Sequence, residues 1–301
     1  MNAPVATFAT LQRLRQRIER LFAVCDLPLD VAGASRRWAL AMPADPDAPL
    51  DQLAAQLLAT HGVLPGQRTE TGETPKDADD AATAARRTAT SGGLLPYWAL
   101  VWPSGLALAE TLLGRPDALR DKRALELGCG LGTTAIAALA TGAALSVADC
   151  FAETLLFCRY NALRNAGRQP RTLLLNWRTP AGREACVARA PYDVLLAADI
   201  LYEQEDLEPL LDLVPRLLTP DGAFWLAEPG RRVSRAFVQA AAARGWRDES
   251  TTYERIWPTE EKPVRVVVHR YQLSERSGLS GLSRQRVVRT ISAWTDANPL
   301  R

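Results

Sequence analysis

An α/β fold is predicted, with seven strands in a mostly parallel sheet, helices on both faces and an antiparallel hairpin at its C-terminal end. Three features carry it. From residue 94 onwards, apolar runs of strand length alternate with helical segments, the pattern of βαβ units and a parallel sheet. A glycine-rich turn, LGCGLG, joins the first of these runs to the helix that follows. The last two runs are separated only by PTEEKP, too short for a crossover helix, so they must pair antiparallel.

In chain order, an N-terminal helical extension occupies residues 1–65. Leu11, Leu14, Ile18, Leu21 and Phe22 recur at helical spacing between polar residues, and Leu50, Leu53, Leu57 and Leu58 share a face of a second helix over 49–61. Residues 66–93 contain no aromatic and no large aliphatic side chain, which makes them a flexible linker. The main domain then runs from 94 to 273. Its strands are RALELG, ALSVAD, RTLLLNW, YDVLLAADI and GAFWLAEP, followed by the hairpin runs STTYERIW and VRVVVHRYQL. Helical segments lie near 133–141, 152–165, 204–218 and 233–244, giving a Rossmann-like arrangement. A polar tail, residues 274–301, carries a short basic helix candidate at SRQRVVRTISAW.

Composition narrows the function. A formal net charge of +2 lacks the basic bias of a nucleic-acid binder, so no nucleic-acid partner is expected. The five cysteines show no CxxC spacing, which argues against a disulfide framework or a zinc site and fits a reducing cytoplasm. No run reaches the roughly 18 apolar residues of a membrane span, and the N-terminus has no signal-peptide pattern. Two histidines leave little room for chemistry built on several of them.

The glycine turn poses the central question. Gly128, Gly130 and Gly132 form G-x-G-x-G, with Cys129 between the first two, not the G-x-G-x-x-G of a dinucleotide site. Glu126 stands just before the turn, where it would meet pyrophosphate badly and an ammonium well. Asp149 ends the second strand about 20 residues beyond Gly128, the usual place for a carboxylate that accepts ribose hydroxyls. Together they describe S-adenosyl-L-methionine. Taken singly, a tight strand-to-helix turn and a helix-capping aspartate remain as readings.

Four stretches, PYWALVWPSG, LELGCGLG, DILY and AEPGR, resemble the seven-β-strand (class I) S-adenosylmethionine-dependent methyltransferases. Within them the chain is similar to the protein lysine methyltransferase group that includes the enzyme acting on the electron transfer flavoprotein β-subunit. The resemblance spans roughly Leu94 to Leu273. It implies that Glu126, Gly128, Gly130 and Gly132 surround the methionine and adenosine moieties, and that Asp149 holds the ribose. Asn176 and Trp177 stand where the family often has Asp-Trp beside adenine, and Trp102 where a tryptophan lines the cofactor pocket, although a plain core aromatic is an equal reading. Asp199 and Tyr202, beyond the fourth strand of the domain, are the candidate chemical pair: a carboxylate to orient the attacking amine, and a ring with a hydroxyl. A helix cap is the alternative for Asp199. Glu228 replaces an aspartate in the family's Asp-Pro-Gly-Arg turn, and Arg231 and Arg232 read as a solvated pair or as contacts for an acidic substrate face.

The implied activity is methyl transfer to a lysine nitrogen of a protein substrate. A small-molecule acceptor for N- or O-methylation is the alternative, and a non-catalytic cofactor-binding module a third. A nucleic-acid base methyltransferase is disfavoured, because Asp199-Ile-Leu-Tyr202 stands where such enzymes carry Asn/Asp-Pro-Pro-Tyr.

Overall fold

A computed structural model of the protein describes residues 3–61, 97–273 and 287–291. The chain begins with α1 (Ala3–Glu19), a hairpin of β1 (Val24–Leu29) and β2 (Trp38–Pro43), and α2 (Ala48–His61). Then follow α3 (Pro103–Leu113), β3 (Arg123–Leu127), α4 (Thr133–Ala140), β4 (Ala144–Asp149), α5 (Ala152–Ala166) and β5 (Arg171–Leu174). The second half holds α6 (Pro180–Val187), β6 (Tyr192–Ala198), α7 (Leu207–Leu217), β7 (Leu218–Glu228), α8 (Arg232–Ala243), β8 (Arg247–Ile256), β9 (Pro263–Gln272) and β10 (Val287–Ile291).

Among the described residues the large sheet has eight strands in the order β10-β8-β9-β7-β6-β3-β4-β5. Only β9 runs antiparallel to its neighbours β7 and β8; every other pairing in this sheet is parallel. Strand order reverses between β3 and β6, because the chain first builds outwards through β4 and β5 and then returns to β6 and β7 on the other side. Ligands of open α/β sheets bind at such a switch point, beyond the carboxyl ends of the strands.

Alternation along the central strands divides the interior in two. Val194, Leu196, Ala223, Trp225 and Ala227 face a layer containing α3, α4 and α5. Leu195, Ala197, Phe224 and Leu226 face α7 and α8 on the other side. Strands buried on both faces read as near-continuous apolar runs, which is why YDVLLAADI and GAFWLAEP were recognisable as strands.

The domain strands and helices lie where the sequence placed them, and the helix expected over 49–61 is α2. Four features differ, the first being α6 (Pro180–Val187), a helix not expected from the sequence. The basic helix expected in the tail is in part a strand: Val287–Ile291 pairs in parallel with Glu249–Tyr253 of β8. Two valines, an isoleucine and a threonine in five residues favour an extended backbone, and β8 offers an open edge. Helix α3 is buried almost all round, so PSGLALAETLL has no polar face to reveal its period. The extension contains a hairpin as well as helices; Pro28 and an irregular alternation in VCDLPL conceal it. The linker over 66–93 lies outside the described residues.

The hairpin is held by side chains of α5. Asn165 Oδ1 accepts from the Ala39 N–H (2.9 Å) and its amide donates to the Ala39 carbonyl (3.0 Å). Asn161 does the same for Ala41, at 2.8 and 2.9 Å, and also donates to the Leu131 carbonyl in the glycine turn (2.9 Å). Four helical residues rise about 6 Å and two strand residues about 6.7 Å, so i, i+4 asparagines match i, i+2 strand positions. Phe22, Trp98 and Phe157 pack together with centroids 5.4 to 6.1 Å apart, tying the extension to the wall of the site.

Candidate active site

The carboxyl ends of β3, β4, β5 and β6 open into one cavity. Most of the residues singled out in the sequence line it: Trp102, Glu126, Gly128, Cys129, Gly130, Asp149, Asn176, Trp177 and Tyr202. Gly132 and Asp199 are not on its wall.

The three glycines have different reasons to be glycine, and all have positive φ. A Cβ at Gly128 would lie 2.7 Å from Ile200 Cγ2, and one at Gly132 would lie 2.9 Å from Cys158 Sγ and 3.1 Å from its Cα. Those two are demanded by packing against the β6 loop and α5. At Gly130 the nearest atom is the Trp98 carbonyl oxygen at 4.0 Å. Its bare backbone borders open cavity, the one glycine of the three that leaves room for a ligand.

Glu126 and Asp149 bring two carboxylates to adjacent strand ends. Glu126 is 1% exposed, and its Oε2 has no hydrogen-bond partner among the described residues. Burial pushes its pKa well above the carboxylate range, Thr134 opposes through a hydrogen bond, and the nearby Asp149 charge adds to the rise. A buried acceptor without a donor is costly unless a ligand supplies one. Asp149 accepts from the Phe151 N–H at the start of α5 (3.2 Å) and from the Cys129 thiol (3.9 Å). This is an Asx-type turn leading into α5 and not a helix cap, since Phe151 is the N-cap and no side chain caps the helix, and the same carboxylate borders the cavity. Burial raises its pKa to about 6 against the opposing backbone N–H groups. The thiols stay neutral: burial raises Cys129 well above its usual value and Cys150 to about 12.

Asn176 closes β5 and accepts the Arg178 N–H through Oδ1 (2.9 Å). Arg178 pairs with the fully buried Asp206 at 2.6 Å and stands 6.0 Å from the Trp177 ring. Trp102 precedes α3 and donates its indole N–H to the Tyr97 carbonyl (2.8 Å), so it is a cavity wall as well as a packed aromatic. The Tyr97 ring lies 5.1 Å from Tyr202 and 6.1 Å from Trp102. Tyr97, Trp98 and Arg178 also line the cavity without having been singled out from the sequence, although PYWALVWPSG carries two of them.

Asp199 sits at φ 54°, a left-handed conformation sparsely populated by residues with a side chain. It does not cap the next helix. Glu203 and Asp206 form that capping box, with Asp206 Oδ2 accepting from the Tyr202 and Glu203 N–H groups at 3.1 and 3.0 Å. The Asp199 carboxylate is 3% exposed and accepts from Arg231 Nε at 3.0 Å. Burial raises its pKa, with Arg231 opposing. Arg231 is thus ion-paired and half-buried, whereas Arg232 is exposed. Burial and the Asp199 charge hold the Tyr202 hydroxyl protonated far above its ordinary range. The turn before Arg231 is braced by Glu228, which accepts from the Gly230 N–H (2.5 Å) and faces His269 Nε2 (3.5 Å). Among the described residues no cluster of side chains could hold a metal ion.

Residues 97–242 match the lysine methyltransferase family. The electron transfer flavoprotein beta subunit lysine methyltransferase of Xenopus laevis is 32% identical over 142 residues, 45% of this chain and 53% of that protein. The protein-lysine methyltransferase METTL21E of Bos taurus is 35% identical over 122 residues, 38% and 41% of the two chains. The chain thus spans about half the length of the curated relatives it matches. Among solved structures, magnesium protoporphyrin IX methyltransferase of Synechocystis aligns over 74% of this chain and 97% of its own, at 12% identity and a TM-score of 0.44.

Proposed function

We propose, for a chain whose residues 97–242 match the lysine methyltransferase family, that it transfers a methyl group from S-adenosylmethionine to a lysine nitrogen of a protein. The observation that carries this reading is the pair of buried carboxylates at adjacent strand ends. Glu126 offers an acceptor without a donor, suited to the amino-acid ammonium, and Asp149 offers the ribose hydroxyls a carboxylate. Gly130 leaves space for the ligand between them. Asn176, its Oδ1 taken by Arg178, retains N–H donors for an adenine ring nitrogen, and Trp177 supplies a flat apolar wall.

When bound, the cofactor supplies an electrophilic methyl on a sulfonium. The chain's own contribution is to bind, orient and exclude water. Tyr202 stays protonated and cannot act as a base at neutral pH, so an acceptor that enters as an ammonium must lose its proton to some group other than Tyr202 before its nitrogen attacks. The ring group of Tyr97, Trp102 and Tyr202 gives a seat for the lysine chain and for the positive charge that develops on nitrogen.

A protein acceptor is supported by the rim, where Tyr97 is 37% and Leu100 40% exposed, an apolar lip that a peptide can cover. A small-molecule acceptor is not favoured. The five unpaired cysteines support a reducing, cytoplasmic setting, and among the described residues no helix is long and apolar enough to cross a membrane.

The test has two steps. Calorimetric titration with S-adenosylmethionine should show saturable binding that weakens by at least about tenfold in Glu126→Gln, the loss of one charged hydrogen bond. A cell lysate supplied with enzyme and methyl-labelled cofactor should then yield label in methyl-lysine after acid hydrolysis of protein. Label confined to small molecules would sink the lysine reading, and no cofactor binding would sink the activity altogether.

A further inference from the structure

Arg231 occupies an unusual place. Its guanidinium carbon lies 5.5 Å from the Tyr202 ring centroid and 5.8 Å from that of Trp102, both rings of the cavity wall, while its Nε donates to buried Asp199. A cation held by a buried carboxylate and adjacent aromatic rings is the arrangement that recognises an alkylammonium. We infer that Arg231 is an exchangeable counter-ion of the acceptor seat, and that an acceptor ammonium enters by taking its place on Asp199 and against Tyr202 and Trp102. The inference rests on the methyltransferase reading only for the identity of the acceptor.

Four observations favour exchange over a fixed wall. The Arg231 side chain is 37% exposed and Asp199 only 3%, so the arginine head can swing to solvent while the carboxylate cannot. The contact is a single Nε–Oδ1 hydrogen bond and not the bidentate fork by which arginine holds a carboxylate most firmly. The backbone around Arg231 is anchored independently, by the Gly230 N–H on Glu228 and by the Arg235 N–H on the Arg231 carbonyl, so the side chain can leave without the turn moving. The rings are likewise set without it, through the Trp102 indole bond to Tyr97. A buried carboxylate is costly to leave charged without a cation beside it. Arginine supplies one until the acceptor does, and an acceptor without positive charge gains nothing by entering. Arg231 is on this view a specificity residue, selecting cationic acceptors from neutral ones.

n-Butylammonium, the side chain of lysine without its backbone, is the probe, followed by ligand-observed NMR on the full chain. Arg231→Gln should bind it at least about tenfold more tightly than native protein, because a tethered competitor has been removed. Arg231→Lys should restore native weakness, and adding Asp199→Asn to Arg231→Gln should abolish the gain. Equal or weaker binding by Arg231→Gln overturns the proposal, since that is what loss of a structural brace produces. Native protein gives an independent reading if the glutamine variant does not fold. The Arg231 Nε–H resonance should shift with butylammonium and not with n-butanol, and a resonance that ignores both overturns the exchange. Neither reading needs bound cofactor, so failure of S-adenosylmethionine to bind would be seen separately.

Discussion

Asp149 is subject to two opposing demands. Burial lifts its pKa from 3.8 to about 6, so the folded chain prefers the protonated acid. For an acid raised on folding, the native state loses stability as pH climbs from about 4 to 6 and does not regain it above. Holding the carboxylate charged at neutral pH thus costs on the order of 3 kcal/mol. Asparagine keeps the oxygen that accepts the Phe151 N–H and removes the charge. Asp149→Asn should raise the unfolding free energy at pH 7.5 by about 1–3 kcal/mol in urea titrations while weakening cofactor binding by at least about tenfold. A variant neither stabilised nor weakened would show that the charge is not the ligand's partner. At this scale spacing to a strand end was enough to bring residues to the cavity wall. Glu126, Asp149 and Gly130 could be read from spacing to a strand end. The Asp199–Arg231 pair could not, because its members are 32 residues apart and meet only through the adjacency of β6 and β7.

Among the elements, the antiparallel strand β9 carries the buried histidine of the sheet. His269 is 2% exposed, with Nδ1 2.9 Å from Asp248 on β8 and Nε2 3.5 Å from Glu228 on β7. Burial pulls the imidazole pKa down, and the two carboxylates more than reverse it, leaving it above 6.5. A base raised on folding stabilises fully below its unfolded pKa and loses that contribution as pH rises through the folded one. The urea midpoint of the native chain should therefore fall as pH rises above about 6.5, and His269→Gln should flatten that slope. A native midpoint constant through this range would refute the ion-pair role. The reading of VRVVVHRYQL as a strand was sound because four of its first five residues are valine, which favours an extended backbone. Of the missed elements, α3 is apolar on every side, α6 had only the short start signal of Thr179-Pro180, and Val287–Ile291 was judged by the basic residues around it when its β-branched residues decide.

For the molecule as a whole, strand alternation divided the chain between two apolar layers, and that division was legible because period and composition agreed from residue 94 onwards. The extension was not. Its hairpin is completed by α5, more than a hundred residues away, and no local pattern reports a partner at that distance. The two asparagine amides behave as a counterfeit strand, filling the positions on β2 that a neighbouring backbone would otherwise fill. A strand edge left open is a template for polymerisation, and these amides cover part of one. Replacing both, Asn161→Leu with Asn165→Leu, should leave the Ala39 and Ala41 amide groups searching for substitutes, and size-exclusion chromatography should show larger species than the native chain forms, growing as concentration rises. A double variant that eluted as the native chain does and was equally stable would mean the edge is guarded by something else. What looks like a fastening between two parts of one chain is, on this reading, also what keeps one chain from fastening to the next.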